Sequence, residues 1–419
     1  MSYYPSDPIF LTQGEPISLM NVLYRVRVAR ILADADNQVA AVIQRVKLKV
    51  VTSIEQRVID AYAITYTLSA NQVSILYRLR LLYTNPLEMR SLVVILGDLS
   101  ILPYTIDFST QPNGALPSPF SGATWAIASG LAVNTPTEGA EKLTDGGFEV
   151  WTSPTNLTNW TETLAGTSTV NQDSTQQRSG TYCARLDIDA SNSNAFVQQV
   201  PAVVVNDWVI LRGYSKSIPT GKAHNTALNN QLSENNTWTI TDSYALIVHC
   251  AVIRLLGGFT VGYNKVSAAS SSLYFDDFSL KKLTTADLPA TLETGQANVT
   301  VKGNWAIVKG SHAGVIMNLD SVSSPNNWVV LIQNGSSGNL YLWKCVAGTI
   351  SQVVASAVTY VAGAAVELRK TAATTYQMWY NGAQVGADQT ISDASIISNT
   401  RHGLLSAYNG NQCSFFSAA

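Results

Sequence analysis

Asp187 and Asp189, in the run "RLDIDA", are the nearest this chain comes to a pair of acid–base carboxylates. On a strand both would point to one face, because successive side chains alternate. Retaining glycoside hydrolysis needs two carboxyl groups about 5 Å apart with a sugar ring between them. Neighbouring carboxylates on one strand serve more readily as an exposed edge or as cation ligands. The four histidines, His224, His249, His312 and His402, are scattered. His249 lies in the apolar run "LIVHCAVI", which predicts a buried, satisfied imidazole rather than a proton shuttle. No Gly-x-Ser-x-Gly elbow, phosphate loop or clustered set of metal ligands occurs in the sequence. The expectation is a protein that binds without catalysing.

Binding of sugar would use aromatic faces, since the C–H face of a pyranose stacks on Trp or Tyr while amides bond its hydroxyls. The chain carries 9 Trp and 18 Tyr. Trp151 in "EVWTSPTNLT" and Trp238 in "SENNTWTITDS" are flanked by Asn and Thr, which makes them the candidate glycan platforms. Trp160, Trp208, Trp305, Trp343 and Trp379 each adjoin an apolar strand pattern and read as packing residues.

These residues must be positioned by a chain of 419 residues, enough for about three domains with their own cores. Charged residues make up 13% and the net charge is −2, so no long-range field favours nucleic acid or an anionic membrane. No apolar run reaches the roughly 20 residues of a membrane span, and "MSYYPSDPIFLTQGEP" lacks the basic end and apolar stretch of a signal peptide. Cys183, Cys250, Cys345 and Cys413 are far apart without CxxC spacing, which predicts four free, mostly buried thiols. A composition of extracellular style without an export signal points to a virion, made in the host cytoplasm and released by lysis.

Residues 1–104 hold period-two stretches such as "LYRVRVARI", "QRVKLKVV" and "SILYRLRLLY". Arg25, Arg27, Arg45, Lys47, Lys49, Arg78 and Arg80 give these strands a basic stripe opposite an apolar one. An antiparallel meander of about five strands follows, its basic face either solvated or docked on an acidic neighbour. With no covering helix in view, its apolar face predicts self-association, with a trimer favoured, through this attachment domain.

Beyond it, "EKLTDGGFEVWTSPTNLTNW" and "SSLYFDDFSLKKL" resemble the opening and closing strands of the carbohydrate-binding jelly rolls attached to many glycosidases. "IDFSTQPNGALPSPFSGATWAIASG" resembles the first strands of laminin-G or concanavalin-like sandwiches, and "NLYLWK" with "YQMWYNG" resembles the body of the same fold. The body lacks first strands of its own. The implied fold class is all-β: an N-terminal antiparallel β domain (1–104), then a concanavalin-like sandwich (105–138 plus 288–419) with a jelly roll nested in it (139–287). Some concanavalin-like sandwiches are glycosidases with Glu-x-Asp-x-x-Glu on one strand, a pattern this body does not contain. In related jelly rolls a structural Ca²⁺ is held by a Glu of the first strand and an Asp of the last, so the resemblance implies Glu149 and Asp277 as metal ligands. The resulting expectation is a phage particle-surface protein (tail fibre, spike, baseplate or capsid decoration) that contacts other virion proteins and attaches to host glycan. One alternative is the non-catalytic carbohydrate-binding part of a secreted polysaccharide-degrading system. The other is a purely structural decoration protein that binds no sugar.

Overall fold

The computed structural model describes residues 102–164, 166–188, 196–218, 222–228, 231–232, 236–254, 261–265, 271–335 and 338–419. The N-terminal β domain expected over 1–104 lies outside these residues except at its last three, as does Asp189. The described part is all-β, built from antiparallel sheets.

The largest is a ten-stranded sheet in which the early strands Trp125–Ala128 and Leu131–Asn134 continue into Gln412–Ala418, Thr300–Ala306, Ala364–Ala372 and Thr375–Tyr380. Tyr104–Asp107 also pairs with Gln412–Ala418, Tyr104 standing opposite Ala418 and Asp107 opposite Phe415. Strands before residue 139 thus complete a sheet whose other strands come after residue 288. Asn134 fixes the join: its buried amide donates to the carbonyls of Ser406 at 2.7 Å and Asp287 at 2.9 Å.

A six-stranded sheet, from Pro289–Glu293 at one edge to Thr349–Ala357 at the other, packs under the ten-stranded one. Its central strands are apolar at nearly every position, which is what a sheet covered on both faces demands. In Trp328–Asn334, Val329 and Leu331 join the core shared with the ten-stranded sheet. The alternate residues Trp328, Val330 and Ile332 face the other way, against Trp208, Ile210, Val248, Cys250 and Val252 of the inserted module. Those five belong to a seven-stranded sheet whose central strands are Ala245–Ile253, Trp208–Ile218, Ser271–Leu283 and Cys183–Ile188. Its far face, with Leu186, Val209, Leu211 and Phe275, meets a five-stranded sheet through residues such as Val197. The two sandwiches are therefore stacked into four layers, with an apolar seam between the second and third.

The turn chemistry follows the sequence. Asn381 and Gly382 both have positive φ (48° and 87°) and join Tyr380 to its partner Ala383, a two-residue hairpin whose twist suits the flanking strands. His249 is fully buried, and all four cysteines are free and buried.

Candidate functional site

The long strand Ser271–Leu283 ends the inserted module, and Phe278 N–H donates to Gly146 O (2.8 Å) where that strand meets the module's opening segment. The loop 178–182 folds over this corner and meets both carboxylates expected to hold calcium. Glu149 Oε1 accepts the N–H groups of Thr181 (2.9 Å) and Tyr182 (3.2 Å). Gly180 has φ +66°, and a Cβ there would lie 1.8 Å from Glu149 Oε1, so only glycine admits this approach. Asp277 accepts Ser179 Oγ at 2.6 Å and pairs with the Arg178 guanidinium, which also stacks 3.5 Å above the Tyr214 ring. The neighbouring Asp276 is buried; burial pushes its carboxyl up to about 6 against the N–H groups of Arg178 and Ser179 that it accepts.

The structure thus brings Glu149 and Asp277 onto one loop, but surrounds them with N–H donors and a guanidinium. A hard divalent cation needs six or more oxygen ligands. Among the described residues no group of three or more His, Cys, Asp or Glu side chains could hold a metal ion. The residues at this corner do not fit a calcium ion; Arg178 supplies the positive charge instead.

The two tryptophans picked as glycan platforms are both tied down. Trp151 donates its indole N–H to Phe148 O at 2.7 Å and packs against the inserted core. Trp238 packs against the same core with Lys309 Nζ 5.0 Å over its ring, and its indole lies beside Gly310 of the host sandwich. Asp187 is held by Arg185 Nε at 2.9 Å and by Asn171, as suits an ion-paired strand face rather than an acid.

A different tryptophan, equally half-buried, lies on the outer face of a sheet. Thr375–Tyr380 alternates, Tyr376, Met378 and Tyr380 entering the core while Gln377 and Trp379 face outward. Trp379, read as a packing residue, is therefore half-buried on the outer face of the ten-stranded sheet. The alternation of large apolar residues at 376, 378 and 380 is the signal that places it there.

Its surroundings are built. The Arg369 guanidinium stacks on the indole, Cζ lying 3.5 Å from the ring centroid, and its Nε pairs with Glu367, whose side chain is only 9% exposed. The indole N–H donates to Gln377 Oε1 at 3.3 Å, and Gln377 in turn donates to Asp388 at 3.0 Å. Glu367 stands directly opposite Trp379 on one side and Lys302 on the other. With its neighbour Asn304, Lys302 extends the polar face across Thr300–Ala306, whose alternate residues fill the core. Glu367 is ion-paired with Arg369, and Asp388 accepts amides from Gln377 and Gln384. The arrangement is suited to stacking and hydrogen bonding.

No family model matches the chain, and no curated protein matches it. Solved structures show distant similarity to carbohydrate-binding and galectin β-sandwiches. The carbohydrate-binding module CBM66 from Bacillus subtilis is 10% identical, covers 32% of this chain and 82% of its own, and has a TM-score of 0.25. A galectin from Caenorhabditis elegans is 12% identical over 31% of this chain and 90% of its own, with a TM-score of 0.25. The tandem CBM22 domain from Paenibacillus barcinonensis is 11% identical over 68% of this chain and 98% of its own, with a TM-score of 0.27.

Proposed function

We propose that the chain is a non-catalytic carbohydrate-binding protein, with Trp379 and its supports on the outer sheet of the host sandwich as the binding platform. One observation carries the reading: a half-buried indole held by Arg369 over one face and Gln377 at its N–H, on a strand beside buried Glu367. A preorganised aromatic with charged hydrogen-bonding groups around it gives a pyranose both a stacking surface and hydroxyl partners, with little ordering left to do on binding. Both settings considered from the sequence, a particle surface and a secreted polysaccharide-degrading system, would use the chain this way, holding glycan without cutting it. The virion setting draws no support from the described residues, so the proposal is made of the binding role alone.

The test is calorimetric titration and affinity electrophoresis of the full chain against a panel of soluble polysaccharides. Trp379→Ala is expected to weaken the tightest of them by about 1–3 kcal/mol, the magnitude for a large buried side chain. Reducing ends are expected not to accumulate. Binding unchanged in Trp379→Ala would move the site off this face, and binding absent across the panel would leave the purely structural alternative.

A further inference from the structure

Resting on that binding reading, we infer that the outer face takes an extended, ribbon-shaped β-1,4-linked glycan running across the strands, through a second subsite at Phe415 and Lys302. The register carries the argument. Gln412–Ala418, Thr300–Ala306, Ala364–Ala372 and Thr375–Tyr380 are consecutive neighbours. Phe416 and Ala418 lie in the core, so Phe415 and Ser417 point to the same outer face as Trp379. One row across the sheet reads Phe415, Asn304, Ala365; the next reads Ser417, Lys302, Glu367, Trp379.

Each end of this patch holds the same device. At one end Arg369 lies over Trp379; at the other Lys302 Nζ lies 5.7 Å from the Phe415 ring centroid. Phe415 and Trp379 are three strand spacings apart and offset by one row of outward-facing residues, about 16 Å in all, and a pyranose is about as long as one spacing, so roughly three rings fit between and upon them. The two strands between the aromatics present Asn304 and Lys302, then Ala365 and Glu367, so the floor between them is polar and, at Ala365, low. Lys302 has no carboxylate partner among the described residues. Two stacking points on one sheet face, separated by about three rings, suit a chain whose ring faces stay parallel to the sheet. A ribbon does this, and a coiled α-1,4 chain does not.

The experiment titrates the full chain with β-1,4-linked glucose oligosaccharides of one to six units, and with α-1,4-linked ones as the coiled control. Affinity is expected to climb at least 100-fold between the monosaccharide and the trimer or tetramer, then level off, with the α-linked series at least tenfold weaker. Phe415→Ala is expected to lower tetramer affinity at least tenfold while leaving monosaccharide binding at Trp379 within twofold. Circular dichroism and melting of Phe415→Ala confirm that the sheet is intact. Equal affinity for all lengths, or no effect of Phe415→Ala on the tetramer, would overturn the extended-chain inference while leaving the Trp379 platform standing. If the α-linked series binds as tightly, the ribbon assignment fails. Absence of binding by every β-linked oligomer, with polysaccharide binding at Trp379 still measured, overturns the assignment of linkage; absence of both overturns the platform as well.

Discussion

Replacing Trp208 with alanine is expected to uncouple the two sandwiches. Trp208 is fully buried in the seam, its ring centroid 5.7 Å from that of Trp343 and 6.3 Å from that of His312. Truncating a buried tryptophan to alanine removes about 3–5 kcal/mol through lost burial and the cavity left behind. The indole N–H of Trp208, however, has no hydrogen-bond partner, and a buried orphan donor of this kind costs about 1–3 kcal/mol. Trp208→Phe removes that penalty while giving up part of the ring, a loss of similar size on area grounds. Both substitutions remove the orphan donor, so the difference between them reports packing: Trp208→Ala, at about 3–5 less about 1–3, is expected to be about 2 kcal/mol less stable than the wild type, Trp208→Phe within about 1 kcal/mol of it. The assay is scanning calorimetry with urea melts. In the wild type the paired sandwiches are expected to melt together, and in Trp208→Ala their transition is expected to split, the inserted module and the host unfolding at different temperatures. An alanine effect below about 1 kcal/mol, or a phenylalanine effect as large as that of alanine, would refute the account of the seam.

Calcium and EGTA are expected to leave the melting temperature unchanged, because Arg178 occupies the charge position at the Glu149–Asp277 corner. Arg178→Met is expected to destabilise by about 1 kcal/mol, a small effect because the pair is partly exposed; a calcium-dependent rise in the wild-type melting temperature would contradict this reading. Stability is also expected to fall as pH drops below about 6.5. Burial holds His312 down to about 3, helped by the nearby His249, and burial holds His402 down to about 4. His402 is a neutral acceptor at Nδ1 for Asn318 N–H, with Nε2 facing Gln296 O at 2.8 Å. Near pH 5 the unfolded chain therefore gains two protons at these histidines that the folded chain refuses. Asp276, raised to about 6 by burial, takes up one in the folded state that the unfolded chain does not. The net difference of one proton gives a loss of about 1.4 kcal/mol per pH unit. Urea melts that are flat between pH 7 and pH 5 would show the histidines to be solvated.

Much of this arrangement can be read along the chain, and each exception has its own physical cause. The hairpin at Asn381-Gly382, the long closing strand and the nesting follow from local signals: a turn dipeptide, period-two alternation, and a sandwich body without its own first strands. Trp379 was legible in principle, since Tyr376, Met378 and Tyr380 already fill the inward positions of its strand, but a tryptophan flanked by apolar residues has the composition of a packing residue whichever face it takes. The seam was not legible, because residues such as Trp208, Val330 and Trp343 look the same whether they pack within a sandwich or between two. Arg178 was hidden for another reason: its partner Asp277 is remote in sequence, and the resemblance to metal-binding jelly rolls directs attention to the carboxylates alone. Trp151 and Trp238 sit in polar sequence, yet their rings are drawn onto the core by contacts that flanking Asn and Thr do not reveal.

The pairing of Tyr104–Asp107 and Leu131–Asn134 with Gln412–Ala418 sets an order of events during synthesis. The early strands leave the ribosome with no host partner, and the inserted module is finished at Leu283, well before Gln412 is made. At about 5–20 residues per second the wait lasts on the order of tens of seconds. During it the nascent chain carries bare strand edges that could capture a neighbour. A jelly roll that folds early keeps those edges close to the segment that will later return, so the nested module serves the host sandwich as a built-in placeholder, and slow elongation between residues 284 and 412 would lengthen the exposure.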